Sequence, residues 1–487
     1  MLEESYQMVA TLFRSPVLAS WFAAGVTLFN SIIAIPIVIS ILSVEEINVW
    51  FLFFSVVALA QGVQFGFNGT FVRFIAYSNS GVRISEFASI KDLKKISTES
   101  FLNIGEFSTI IGLTKYVYGV LSIIFFILIL LLGNVGLSSP IGLLENPSEG
   151  WVAWFIVVFV ATMVIYLGHY RIFLEGTNHV VTVQRVLAIV NLVGLGAILS
   201  VLILKPTLVA IVLVYQVVAL ISALVIAFIA KRKMSSTTGL VSSVAFDQNL
   251  FSIIWESVWK SGITVLIASS VKHASAILVA QWFPVGESAS YQFTKRLFDV
   301  IENFVQITFQ AKLPLLASLR GKGDFMNLLP ALAEIQRISF SVFLIGYLTL
   351  LLIGDPILSL IGSNVEVGGY TLLVLFSFST FFSRWSGIML AISNQSNNVI
   401  EHKSAIIVAS IFFPLIYLFY EDFGVEIVPF CTLLALLFAM PIVIKQAYST
   451  IHTNFFTYEL TVTIPFLLAL LLINVSFYFL VGIQLPK

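Results

Sequence analysis

The 487 residues are 59% hydrophobic and only 10% charged, with a mean hydropathy of +1.02, the composition of a chain whose solvent is lipid. Lysine plus arginine balance aspartate plus glutamate at 25 each, so overall charge points to no nucleic acid or other polyanion. A single cysteine, Cys431, excludes an intramolecular disulfide and a cysteine metal cluster, and no polar stretch is long enough to build a soluble domain.

The opening MLEESYQMVATLFR is acidic where a secretory leader needs a basic start, so the first apolar run reads as a retained helix. Spanning a bilayer takes about 20 apolar residues as helix, because in hydrocarbon every backbone amide must be satisfied within its own segment. Thirteen runs qualify: 17–42, 47–77, 112–133, 151–172, 182–204, 207–230, 257–281, 287–317, 331–353, 368–393, 404–420, 426–447 and 460–482. The expected fold is therefore an all-α polytopic membrane protein.

The connections alternate in charge. One set carries Arg83, Lys91, Lys94 and Lys95, then Lys231, Arg232 and Lys233, then Arg320 and Lys322, then Lys403. The other carries Glu45, Glu46, Glu145, Glu149, Glu287, Asp355, Glu366, Glu421 and Asp422. Basic loops stay in the cytoplasm, which predicts a cytoplasmic N-terminus and a multi-pass protein of the bacterial inner membrane. Six helices precede the KRK loop at Lys231, so a second six-helix unit starts in the same orientation as the first. That arrangement predicts two lobes related by a pseudo-two-fold axis along the membrane normal: an N-terminal lobe over 1–233, a cytoplasmic linker over 234–256, a C-terminal lobe over 257–447 and an extra C-terminal helix within 448–487.

The second helix contains QGVQFGFNGTFVRF, which sets Gln61, Gln64 and Asn68 among glycines ahead of Arg73. Glycines in a membrane helix permit close approach or unwinding, and amides beside them can line a polar path. Arg73, like Arg14, Arg171, Lys260, Lys312 and Arg337, stands at the depth of an interfacial anchor. Trp50, Trp151, Trp154 and Tyr291 are expected in the aromatic belt.

Charged groups deep in a span are functional candidates by default. At 1.5 Å per residue, Lys272 and His273 on the seventh helix and Lys295 and Arg296 on the eighth lie roughly 12 to 14 Å below the outer surface, where a hairpin can gather them into a cationic patch. Asp299 and Glu302 follow Lys295 at i+4 and i+7. These charges either line a hydrated cavity or neutralise one another through a Lys295–Asp299 pair. Arg384 on the tenth helix has no acid within reach on its own helix. Catalytic constellations are missing: the sequence holds no metal-ligand spacing, no phosphate-binding glycine loop and no nucleophile set, so neither an enzyme nor a cofactor is expected.

The stretches LSVEEINVWFLFFSVVALAQGVQFGFNGTFVRFIAYSNSG, ESASYQFTKRLFDVIENF and SNQSNNVIEHKSA resemble Wzx-type O-antigen and polysaccharide flippases of the multidrug/oligosaccharidyl-lipid/polysaccharide (MOP) exporter superfamily, although Gln64 stands where such families often carry an aspartate. The resemblance implies a non-enzymatic transporter. It would move a polyprenyl-pyrophosphate-linked oligosaccharide, of the O-antigen or lipopolysaccharide type, from the inner to the outer leaflet by alternating access, as a monomer among membrane lipids. Lys272, His273, Lys295, Arg296, Arg384 and Arg73 would face the headgroup, Gln61, Gln64 and Asn68 the sugar hydroxyls, and Asp299 and Glu302 would serve ion or proton coupling. A drug or cation antiporter of the same superfamily, a membrane polymerase or glycosyltransferase, and a non-transporting scaffold are the competing readings.

The orientation is directly testable. In intact spheroplasts Glu145→Cys is expected to react with a membrane-impermeant maleimide, and Lys233→Cys only after permeabilisation. The reverse pattern overturns the topology.

Overall fold

The computed structural model describes residues 22, 25–26, 33–79, 104–204, 206–238, 248–321, 325–360, 365–394, 401–451 and 455–484. Among these every element is helical. The helices are α1 (33–41), α2 (Val44–Gln61), α3 (Phe65–Asn79), α4 (Ile104–Gly142), α5 (Pro147–Gly176), α6 (Val180–Leu204), α7 (Leu208–Thr238), α8 (Gln248–Trp282), α9 (Val285–Gly321), α10 (Phe325–Leu360), α11 (Tyr370–Asn394), α12 (Glu401–Phe423), α13 (Ile427–Ile451), α14 (Phe455–Val462) and α15 (Ile464–Gln484). Each apolar run from the second onward corresponds to helix. Of the first run, 33–41 is helical. Nine stretches of the described residues are long and apolar enough to cross a bilayer, the last of them, His402–Ser449, covering α12 and α13 together. The α9 helix is not among them, since Lys295, Arg296, Asp299 and Glu302 fall within its middle turns. The chain is an all-α multi-pass membrane protein.

The second span is not one continuous α-helix. It tightens into a 3-10 turn at Gly62–Gln64 and resumes as α3. Its start is fixed by a reciprocal capping box, in which Ser43 Oγ accepts the Glu46 amide and Glu46 accepts the Ser43 amide.

Two compact units divide the described chain: residues up to Val38 with Leu52–Ile277, and Ile39–Phe51 with Leu278 onward. The stretch expected as a linker is partly helix, because α7 continues to Thr238 and α8 begins at Gln248; residues 239–247 lie outside the described residues. Most of α8 packs with the first unit. A reason is visible at Gly66, where an added Cβ would stand 2.7 Å from Gly262 Cα and 2.8 Å from the Val258 carbonyl. Only a residue without a side chain lets α3 approach the α8 backbone so closely.

In the first unit α5 packs on α7, α4 and α3, and α6 on α7. Phe67, Phe71, Phe107, Tyr118, Phe173 and Ile226 belong to one buried cluster at this junction. Trp154 is 1% exposed; it presses on Gly133, where a Cβ would lie 2.4 Å from the indole, and meets the Phe53 ring at 5.3 Å. Trp50 and Tyr291 are equally covered. The expected aromatic belt is therefore corrected at these three positions: their rings fill helix contacts, which hydropathy alone does not distinguish from an interfacial location. The outward faces are apolar, as at Ile123, Phe126, Ile127 and Leu131 on α4.

In the second unit α9, α10, α11, α12 and α13 form the main contacts, with α15 against α10 and α11. Buried polar groups supply the specificity. Asn48, at the start of α2, accepts from Ser288 Oγ at 2.9 Å and from Gln292. Asn474, 4% exposed on α15, accepts the Tyr347 hydroxyl of α10 at 2.6 Å and donates to Ser377 of α11 at 3.4 Å, while Tyr370 donates to its carbonyl at 2.8 Å. The extra helix is thus fastened by polar bonds as well as apolar packing.

Two stability predictions follow from these contacts. Gly66→Ala is expected to lower the thermal midpoint in detergent, by a cost of about 1–3 kcal/mol for overpacking, whereas Gly69→Ala, with open space at its Cβ, leaves it unchanged. Asn474→Leu is expected to cost about 1 kcal/mol by taking away the acceptor of the buried Tyr347 hydroxyl, against no loss for the exposed Leu472→Ala control. Equal midpoints within either pair would refute the corresponding contact.

Candidate functional site

Gln61, Gln64 and Asn68 recur at i, i+3 and i+7 across the 3-10 turn and so share one face of the second span. Gln61, Gln64 and Asn68 line a cavity of about 610 Å³ inside the first unit, together with Arg171 and Glu175 of α5, Asn191 of α6 and Ser222 of α7. Asn68 is held in place by the Tyr118 hydroxyl, which donates to its Oδ1 from a fully buried ring. Arg171 pairs with Glu175 at 2.7 Å, one turn further along α5, so the two charges cancel and the lining stays close to neutral. The remaining wall is aliphatic, from residues such as Ile165, Leu187 and Ile226. Neutral amides and hydroxyls over an aliphatic wall can exchange hydrogen bonds with a polyhydroxylated ligand without demanding a charge from it.

The three amides expected as site residues therefore share one cavity, and Arg73 is not part of its lining. Arg73 is exposed and bonds to its own helix, from Nε to the Gly69 carbonyl at 3.3 Å and from Nη2 to Thr70 at 3.5 Å. Sequence reading took Arg171 for an interfacial anchor and passed over Glu175 and Asn191. The i,i+4 spacing of Arg171 and Glu175 was the available signal for an internal pair.

Lys272 and His273 belong to the first unit and Lys295, Arg296, Asp299, Glu302 and Arg384 to the second. Lys272 is exposed and His273 half-buried. In the second unit Lys295 Nζ lies 3.1 Å from Asp299 Oδ2, with both side chains largely covered. The anticipated internal pair is formed. Arg296 and Glu302 are half-buried, and Glu302 lies within the electrostatic reach of Arg384.

Arg384 is the most buried of these cations, at 6% exposure. Its Nη1 donates to Gln306 Oε1 of α9, its guanidinium lies 5.0 Å from the centre of the Phe309 ring, and its Nε has no hydrogen-bond partner. An amide and a ring face hold the group in place without neutralising it. Gln306 escaped sequence reading, because it lies 78 residues away from Arg384 and no local spacing connects them. Among the described residues no group of His, Cys, Asp or Glu is arranged to hold a metal ion.

No protein-family model matches the chain, and no curated protein matches it. Solved structures do. An inward-facing multidrug resistance MATE family transporter of the MOP superfamily aligns at a TM-score of 0.62 and 14% identity, covering 88% of this chain and 96% of that one. Lipid II flippase MurJ in an inward closed conformation aligns at 0.60 and 14%, covering 97% and 96%. An outward-facing MATE family transporter aligns at 0.54 and 13%, covering 92% and 98%. The chain shares the fold of these solved structures over 88–97% of its length.

Proposed function

We propose that the protein is a flippase that carries a polyprenyl-pyrophosphate-linked oligosaccharide from the cytoplasmic to the periplasmic leaflet of the bacterial inner membrane by alternating access. The observation that carries this reading is the cavity lined by Gln61, Gln64, Asn68, Asn191 and Ser222, whose neutral polar lining suits sugar hydroxyls. Arg384 adds a guanidinium held by neutral partners, the group best suited to bidentate hydrogen bonds with a phosphate. Arg296 of the same unit is assigned to that headgroup, Lys272 and His273 of the first unit are assigned as anion contacts in their own right, and Lys295 is assigned to hold Asp299. Sharing a fold with a lipid II flippase supports a lipid-linked substrate of this kind.

The antiporter reading keeps one observation in its favour, since multidrug transporters share the fold equally well. It would lead one to expect acidic groups in the cavity, yet the single lining acid, Glu175, is paired with Arg171.

Transbilayer movement of a fluorescent polyprenyl-pyrophosphate oligosaccharide in proteoliposomes tests the proposal. Wild type is expected to move it. Asn68→Leu is expected to slow it about tenfold through a lost hydrogen bond. Arg384→Gln should slow it at least as much and weaken binding of the bare polyprenyl pyrophosphate, which Asn68→Leu should not. Lys272→Ala with Arg296→Ala tests the remaining anion contacts. Flux of a cationic drug in place of the lipid, unaffected by these variants, would sink the flippase reading.

A further inference from the structure

A carboxyl group lies where sequence reading placed no function. Glu459 of α14 is 1% exposed. Its Oε1 accepts the Trp385 indole N–H of α11 at 3.1 Å and the Tyr448 hydroxyl of α13 at 2.6 Å, while Oε2 has no hydrogen-bond partner. Beside it Gln336 of α10 accepts the Tyr458 hydroxyl at 3.2 Å and donates to Thr463 Oγ1 at 2.7 Å.

The titratable and charged groups around this junction are few. Tyr448 comes from α13 and Tyr458 from α14 itself. Arg337 comes from α10, but it is exposed and donates to the Thr461 carbonyl at 3.3 Å. From α11 comes neutral Trp385, whose neighbour Arg384 is engaged with Gln306 and Phe309. Among the described residues no cation pairs with Glu459.

An anion so enclosed, with no cation against it and only the neutral donors Trp385, Tyr448 and Thr463 around it, is strongly disfavoured. A proton on the carboxyl removes the charge and lets the group donate as well as accept. The acids singled out for coupling differ in kind, because Asp299 is paired with Lys295 and Glu302 lies near the guanidinium of Arg384.

We propose that Glu459 is a proton-binding site of the second unit, occupied in this conformation and emptied only when water reaches the junction of α11, α13 and α14. Its use to drive substrate rests on the flippase reading; its occupancy does not.

Infrared spectroscopy of the full-length protein in lipid nanodiscs tests occupancy directly. Wild type at neutral pH is expected to show a protonated-carboxyl C=O band that is absent from Glu459→Gln and displaced in Glu459→Asp. Identical spectra in that region for wild type and both variants overturn the proposal, and the Asp variant decides alone if the Gln variant does not fold. Coupling is read in proteoliposomes carrying the labelled polyprenyl-pyrophosphate oligosaccharide. There an imposed pH gradient is expected to change the wild-type rate several-fold and to leave Glu459→Gln unchanged. If wild type shows the band but moves no lipid, the proton site stands and the flippase reading falls. If wild type and Glu459→Gln respond equally to the gradient, the coupling role is overturned.

Discussion

Hydrocarbon offers no hydrogen bonds, and the arrangement of this chain follows from that lack. A side-chain amide, hydroxyl or carboxyl within a span must find its partner inside the protein. Asn48 finds Ser288 and Gln292, Asn68 finds Tyr118, Asn474 finds Tyr347 and Ser377, and Gln336 finds Thr463 and Tyr458. Each bond joins helices whose other contacts are apolar, aromatic as well as aliphatic, and lipid competes with side chains for apolar surface. Polar partners therefore determine which helix lies against which. The apolar residues, exposed along α4 and α15, fix only that the helices stay in the bilayer.

The same constraint explains the shape of the second span. A break in a membrane helix frees backbone groups, and it is tolerated only where protein or a polar cavity receives them. Here the 3-10 turn Gly62–Gln64 falls beside the cavity and opposite α8, where Gly66 meets the backbone of Gly262. Glycine and amide act together: the first allows close approach, and the second supplies hydrogen bonds where the regular helix is interrupted.

Hydropathy made the spans legible because length and apolarity are local properties, and every expected run from residue 44 onward is helix. The Lys295–Asp299 pair was legible for the same reason, being one turn apart. Features that depend on partners distant in sequence were not. Trp50, Trp154 and Tyr291 look like interfacial residues until the glycines and rings that cover them are known. Arg384 is distinguished from an anchor only by Gln306 and Phe309 on another helix. Glu459 stands in an ordinary-looking amphipathic stretch near the end of the chain, and nothing nearby in sequence announces that Trp385 and Tyr448 close over it. Cavity residues on α5 and α6 escaped because a pocket wall is assembled from several helices, each contributing one or two groups.

Charge in the second unit follows a graded pattern. Lys295 and Asp299 compensate each other at hydrogen-bond distance. Arg384 lies against neutral partners, with Glu302 near enough to be felt but not joined to it. Glu459 has neither a cation nor a full set of donors. A compensated pair changes little when its surroundings change, because both charges move together. An uncompensated cation gains most from an arriving anion, and an uncompensated buried acid gains most from a proton. How each group would respond to an added charge is thus set by how completely its neighbours have already satisfied it.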